Sequence, residues 1–215
     1  MNAAIAVALG FGLGVVTGMP LGVINLAIVD AASAGRRRFA IGLGIGGGLA
    51  DAVHAMLAFA GVGRVVTAAP AVVRGLAIGA AVLIVGYAVA SWRRRPAPPR
   101  ADAAASTTTT TATTTTGLAT GLARGLATGL ALTLPNPGAL TAWVAVAAAL
   151  FPDASVLDAA LRAAGVGLGS ALWFSSLARW ISRIRPDHRA IKVIPRLALA
   201  ALIAIAAIGV ARAFA

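Results

Sequence analysis

Cysteine and glutamate are both missing from this 215-residue chain, and only 11% of its residues are charged. An ordinary soluble domain carries about 25%. Without cysteine there are no disulfides, no thiol redox chemistry and no thiolate metal sites. Without glutamate there is no H-E-x-x-H zinc-protease helix. The six acids are all Asp. Aromatic residues are also sparse, at 5%. What is abundant is apolar: 60% of the chain is hydrophobic and the mean hydropathy is +0.92. A soluble fold of this size cannot hide so much apolar surface, so the composition requires an integral membrane protein embedded in a lipid bilayer.

The bilayer core is about 30 Å thick and takes about 20 apolar residues as helix. Six segments meet that requirement: Ala4–Val29, Phe39–Gly61, Ala71–Trp92, Leu118–Leu150, Val156–Ile181 and Arg196–Phe214. The first has no basic residue before it and outruns a signal-peptide core, so it reads as an uncleaved span. Ser155 and Asp158 are spaced as a capping box at the start of the fifth. The expected fold is all-α and polytopic, with six transmembrane helices.

The net charge of +12 comes from 17 Arg and one Lys. In a soluble chain it would suggest nucleic acid. Here the charges sort by topology, and no nucleic-acid partner is expected. Fourteen of the basic residues lie in or beside the connections after spans one, three and five, and Arg64, Arg74, Arg162 and Arg212 lie on the other side. The positive-inside rule places those three connections in the cytoplasm and both termini outside. Arg124 is assigned to the cytoplasmic set on the same grounds.

Residues 93–116 hold Pro96, Pro98, Pro99 and a run of nearly pure Thr. Such a segment cannot build a core and reads as a cytoplasmic linker. It separates a first three-helix half, 1–92, from a second, 117–215. Residues 184–195 mix Ile, Val, Arg and Lys, as an interfacial stretch would. An odd number of spans per half forces the halves into inverted orientation. A shift of 115 residues carries Gly10, Gly14 and Pro20 onto Gly125, Gly129 and Pro135. The shared feature is a glycine-stepped helix that runs into a proline break. Glycine every fourth residue (Gly10, Gly14, Gly18, Gly22; Gly117, Gly121, Gly125, Gly129) bares one helix face for close packing, within the chain or in a homodimer.

Two places carry candidate chemistry. Thr17–Gly22 and Leu134–Gly138 put proline inside a span, where it removes a hydrogen bond and frees a carbonyl. Freed backbone groups at membrane depth are tolerated where they line a cavity, and paired breaks in two halves mark a substrate pathway. Gly18, Pro20, Gly22, Asn25, Asn136 and Pro137 are the pathway candidates. Ser170, Trp173 and Ser175 could line the same space. Asp51 is the acid placed in the middle of a span, where a carboxylate costs about 2.5–3.5 kcal/mol on insertion scales. His54 lies three residues on, on the same helix face. Together they could take and release a proton during a transport cycle.

These residues resemble the lysine-exporter (LysE/RhtB) family of bacterial amino-acid efflux transporters over nearly the whole chain. Pro20, Gly22 and Asn25 match the family's P-x-G-P-x-N pattern, with Val23 at its second proline. Gly42–Gly48 followed by Asp51, the pair Asn136-Pro137, and Gly169-Ser170-Ala171-Leu172-Trp173 match in order. Gly138 stands where a basic residue often follows the Asn-Pro pair. The resemblance implies export of a small amphipathic metabolite such as an amino acid, driven by the proton gradient, and no enzymatic activity.

Three other readings are weaker. A metal-ion permease would need several oxygen ligands, and one buried Asp, one His and three Met make a poor cage. No resident metal or cofactor is expected. A membrane enzyme has no nucleophile–base spacing to support it. A non-transporting scaffold gives no reason for a midplane acid beside paired breaks.

Overall fold

Proline and glycine decide where the spans break. The structure is a computed structural model that describes residues 2–20, 22–93, 113–151, 154–183 and 189–214. Most of the Pro/Thr-rich linker lies outside the described residues, as do Pro152, Asp153 and residues 184–188. Nine helices occur among the described residues. The first span is α1 (Ala3–Gly18) followed by α2 (Val23–Ser33), and the fourth is α6 (Thr113–Thr133) followed by α7 (Pro137–Leu150). The pairs bend by 69° and 72° at the breaks. The second span is α3 (Arg37–Phe59), a short α4 (Val62–Thr67) follows it, and the third is α5 (Pro70–Arg93). The fifth and sixth are α8 (Val156–Ile181) and α9 (Arg189–Phe214). Among the described residues four helices are long and apolar enough to cross a membrane alone, and the spans number up to six if each bent pair is one span. The protein is therefore an all-α polytopic membrane protein.

Local chemistry sets the ends. Ser155 accepts from Asp158 N at 3.2 Å and starts α8, as the capping-box spacing predicts. Two bonds after α2, Arg36 N to Ala31 O and Gly35 N to Ala32 O, form a Schellman motif. Gly35 supplies the left-handed residue, with φ +74°. This tight turn returns Arg36 toward the end of α2. The sixth span begins earlier than its apolar run: Arg189–Pro195, expected in an interfacial stretch, are the first turns of α9.

The halves interlock through their glycines. α1 packs along α8, and α6 packs along α3, each crossing into the opposite half. A methyl group added at Gly14 would strike the Val166 carbonyl and stand 2.9 Å from Ser170 N. One added at Gly129 would strike the Leu43 carbonyl and stand 3.0 Å from Gly47 N. Backbone therefore meets backbone in both helix pairs. The remaining packing is not equivalent. α2 seats firmly against α9, whereas its counterpart α7 barely touches α5.

The apolar core forms two clusters. One gathers Ile28, Ile84, Leu132, Phe174, Leu199 and Leu202 about α2. The other joins Phe59, Trp143, Ala159 and Val166, with Phe59 edge-on to both Trp143 and Phe151. The outer faces of α5 and α9 carry exposed Val82, Val89, Ile203 and Ile208, as lipid contact requires.

Candidate functional site at the two helix breaks

A break in a membrane helix leaves carbonyls that must find donors. At the first break the donor is Asn25, in the first turn of α2. Its side-chain amide donates to Gly18 O at 2.9 Å and to Pro20 O at 2.6 Å. At the second break the donor is His54, whose Nε2 is 3.0 Å from Leu134 O. A carbonyl only accepts, so Nε2 carries the proton in this contact. Asn136 caps α7, accepting from Gly138 N at 3.0 Å, and Pro137 occupies its first turn, where the missing N–H costs nothing.

The breaks face each other across one cavity of about 140 Å³. Gly18, Pro20, Gly22, Asn25, Asp51 and Asn136 line it. Six of the eleven positions named from the sequence thus meet in one place. Pro137, His54, Ser170, Trp173 and Ser175 are not among the residues that line it. His54 is buried at 2% exposure, with Nε2 committed to the break and Nδ1 without a partner.

The wall is polar at chosen points. Asn25 Oδ1 and Thr133 Oγ1 are buried and have no hydrogen-bond partner among the described residues. Ser170 is fully buried, donates to Gly14 O at 3.2 Å, and also sits within hydrogen-bonding reach of the Asp51 carboxyl. Apolar Val23, Ile24, Leu132 and Phe174 complete the enclosure. The offset that carries Gly42 to Gly165 and Gly46 to Gly169 also carries Asp51 to Phe174, and both side chains line the cavity. The arrangement can hold a small polar solute between two helix breaks and offers a carboxyl group to it. Among the described residues no three His, Asp or Glu side chains come together to hold a metal.

Residues 15–215 match the family described as LysE type translocator. The chain belongs to the LysE type translocator family. No curated protein and no solved structure matches it. Membership makes this a membrane transport protein, and the cavity at the breaks is the feature of this LysE-family chain on which a transport reading rests.

Some wall residues gave no signal in the sequence. Leu132, Thr133 and Phe174 are ordinary span residues until the bends bring them together. A second cluster was also missed. Arg36 donates to Asp30 Oδ2 at 2.9 Å and to Ser91 Oγ at 3.3 Å, and Tyr87 OH lies 3.0 Å from the same Asp30 oxygen. The signal available was the lone Tyr in a chain with few polar span residues. A larger cavity, of about 870 Å³, opens beside this cluster between α5 and α6. Leu132 lines both cavities.

Proposed function

We propose that this LysE-family protein is a secondary active exporter of amino acids or related small metabolites, coupled to proton entry and working by alternating access between its inverted halves. The observation that carries the reading is the meeting of both helix breaks at one cavity that also holds Asp51. Helix ends at a break present partial charges that suit the charged groups of an amino acid. Asn25 Oδ1 accepts from an ammonium group, and the freed amides and hydroxyls answer a carboxylate. Asp51 takes the coupling proton. His54, one turn away, keeps the second break in place so that the acid meets the pathway.

The unequal packing of the halves supports the cycle. The α5 side is open while the α9 side is sealed against α2. In an inverted pair, exchanging those two arrangements opens the opposite face. By the positive-inside rule the termini are outside, in the plasma membrane of a bacterium, and the larger cavity beside Arg36 and Arg124 lies toward the cytoplasm.

The test is efflux from proteoliposomes preloaded with labelled amino acids, with and without an imposed pH gradient, for wild type and Asp51→Asn. Gradient-stimulated efflux of one compound class, lost in the variant, is the expected result. Efflux that the gradient stimulates equally in the variant would remove Asp51 from the coupling step. No efflux of any compound by folded wild-type protein would overturn the exporter reading.

A further inference from the structure

We propose that Arg124, on the wall of the larger cavity, is a binding site for the carboxylate of a small solute, with the Thr128 oxygen beside it as an acceptor for the solute's ammonium group. The solute would occupy it before passing Leu132 into the cavity between the breaks. The transport part of this proposal rests on the exporter reading; the anion site itself does not.

Arg124 differs from most of the topological arginines in the cavity it lines. It lies within the apolar stretch Ala119–Thr133 of the fourth span, with α6 beginning well before it at Thr113. A charge at such a place faces a water-filled cavity or a partner. No carboxylate among the described residues pairs with it, and its side chain is exposed to the cavity of about 870 Å³ that it helps to line. The other guanidinium on that wall, Arg36, is already held by Asp30 at 2.9 Å. Arg124 is therefore the uncompensated positive charge of the described wall.

The wall is mostly apolar but not wholly so. Ser91, Tyr87 and Thr128 put hydroxyls on the same wall. A planar guanidinium binds a carboxylate through two parallel hydrogen bonds. Thr128 donates its proton to Arg124 O at 2.8 Å, which leaves its oxygen as an acceptor for an ammonium group. The space exceeds what one amino acid needs, as a loading vestibule would.

The site also lies on a track. Arg124, Thr128 and Leu132 are spaced four apart and share one face of α6. Leu132 is 1% exposed and belongs to the walls of both cavities. One turn beyond it is Asn136, on the wall of the inner cavity. A solute held at Arg124 is two helical turns from Leu132 and then meets the break.

A chain without cysteine lets a single introduced thiol report on the site. Full-length Thr128→Cys protein in proteoliposomes is treated with a negatively and a positively charged water-soluble methanethiosulfonate, each rate being divided by its rate with free cysteine. The anionic reagent should react about tenfold faster than the cationic one, since the two feel the same charge with opposite sign. The preference should vanish in Thr128→Cys/Arg124→Gln and persist in Thr128→Cys/Arg124→Lys. A thiol that reacts with neither reagent, or a preference that survives Arg124→Gln, would overturn the site. For any amino acid that wild type exports, Arg124→Gln should raise the half-saturating concentration about tenfold; no change there would overturn its loading role. If wild type exports none, the exporter reading fails alone, and the thiol rates still decide the site.

Discussion

The side-chain amide of Asn25 spans the first helix break and donates to the Pro20 carbonyl at 2.6 Å. Proline lacks the N–H that would continue the helical ladder, and the bend from α1 to α2 leaves carbonyls open. One amide group satisfies two of them, at Gly18 and Pro20. The Asn25 donors are thus consumed by the fold, while its Oδ1 stays free at the cavity. Structure and recognition are divided between the two ends of one side chain.

Replacing Asn25 separates those roles. Asn25→Ala strips both carbonyls of their donor and should cost about 1–3 kcal/mol, the usual penalty for buried groups left unsatisfied. Asn25→Asp keeps the shape but sets an acceptor against two acceptors, and should be at least as damaging. Thermal unfolding in detergent, followed by the loss of monodisperse protein, measures both. A melting temperature unchanged in Asn25→Ala would mean that the break is held by something else.

The interlocked glycines give a sharper contrast. A Leu at Gly14 or Gly129 must displace the backbone of α8 or α3, because the obstructing atoms are carbonyls and amides rather than side chains. Both variants should abolish the folded protein or reduce its yield severely. Gly209→Ala, where nothing lies within 4 Å, should leave the yield unchanged and gain up to about 1 kcal/mol of helix propensity. Purified yield by size-exclusion chromatography reads all three. Normal yields for Gly14→Leu would show that α1 and α8 are not in backbone contact.

The features visible in the sequence are those encoded locally. Hydropathy marks the spans, Pro20 and Pro137 mark the breaks, and the four-residue glycine steps mark the packing faces. Asp51 and Asn25 stand out because polar residues inside a span are costly. What could not be read depends on which faces meet. Phe174 and Leu132 become wall residues only when α8 and α6 close on α3 and α2. His54 shares a helix face with Asp51, yet its ring turns to the Leu134 carbonyl, a partner 80 residues away. Asp30 is at the end of a span, where an acid excites no comment, and only the turn at Gly35 brings Arg36 back to it. Arg124 resembles the topological arginines in composition, and only the structure shows that it lines a cavity where the other arginine, Arg36, is already paired.

The Asp30–Arg36 pair should respond unequally to loss of its partners. The Asp30 side chain is 5% exposed and that of Arg36 is 29% exposed. Arg36→Gln strands a buried carboxylate with Tyr87 as its remaining donor and should cost about 3 kcal/mol. Asp30→Asn leaves a guanidinium that can turn to water, and should cost about 1 kcal/mol. The double variant should recover most of the loss of Arg36→Gln. Melting temperatures of the three proteins measure the cycle. Equal losses in the two single variants would show that the carboxylate is not buried as the contact with Tyr87 implies.

Asp51 and His54 are one helical turn apart and should prove separable. His54 Nε2 holds Leu134 O, so what the fold requires of it is an N–H donor. His54→Leu removes that donor and should lower stability by about 1 kcal/mol, within the range of single hydrogen bonds between membrane helices. His54→Gln keeps an N–H donor and should lose less. Neither should abolish stimulation of efflux by a pH gradient in the fraction that folds, because the imidazole is not on the cavity wall. Asp51→Asn should do the reverse: it keeps the volume and the contact with Ser170, unfolds at the wild-type temperature, and loses gradient stimulation. Melting temperature and gradient response, measured on the same preparations, separate the two. A His54→Gln protein of normal stability that no longer responds to the gradient would make the imidazole a proton carrier and not a clamp.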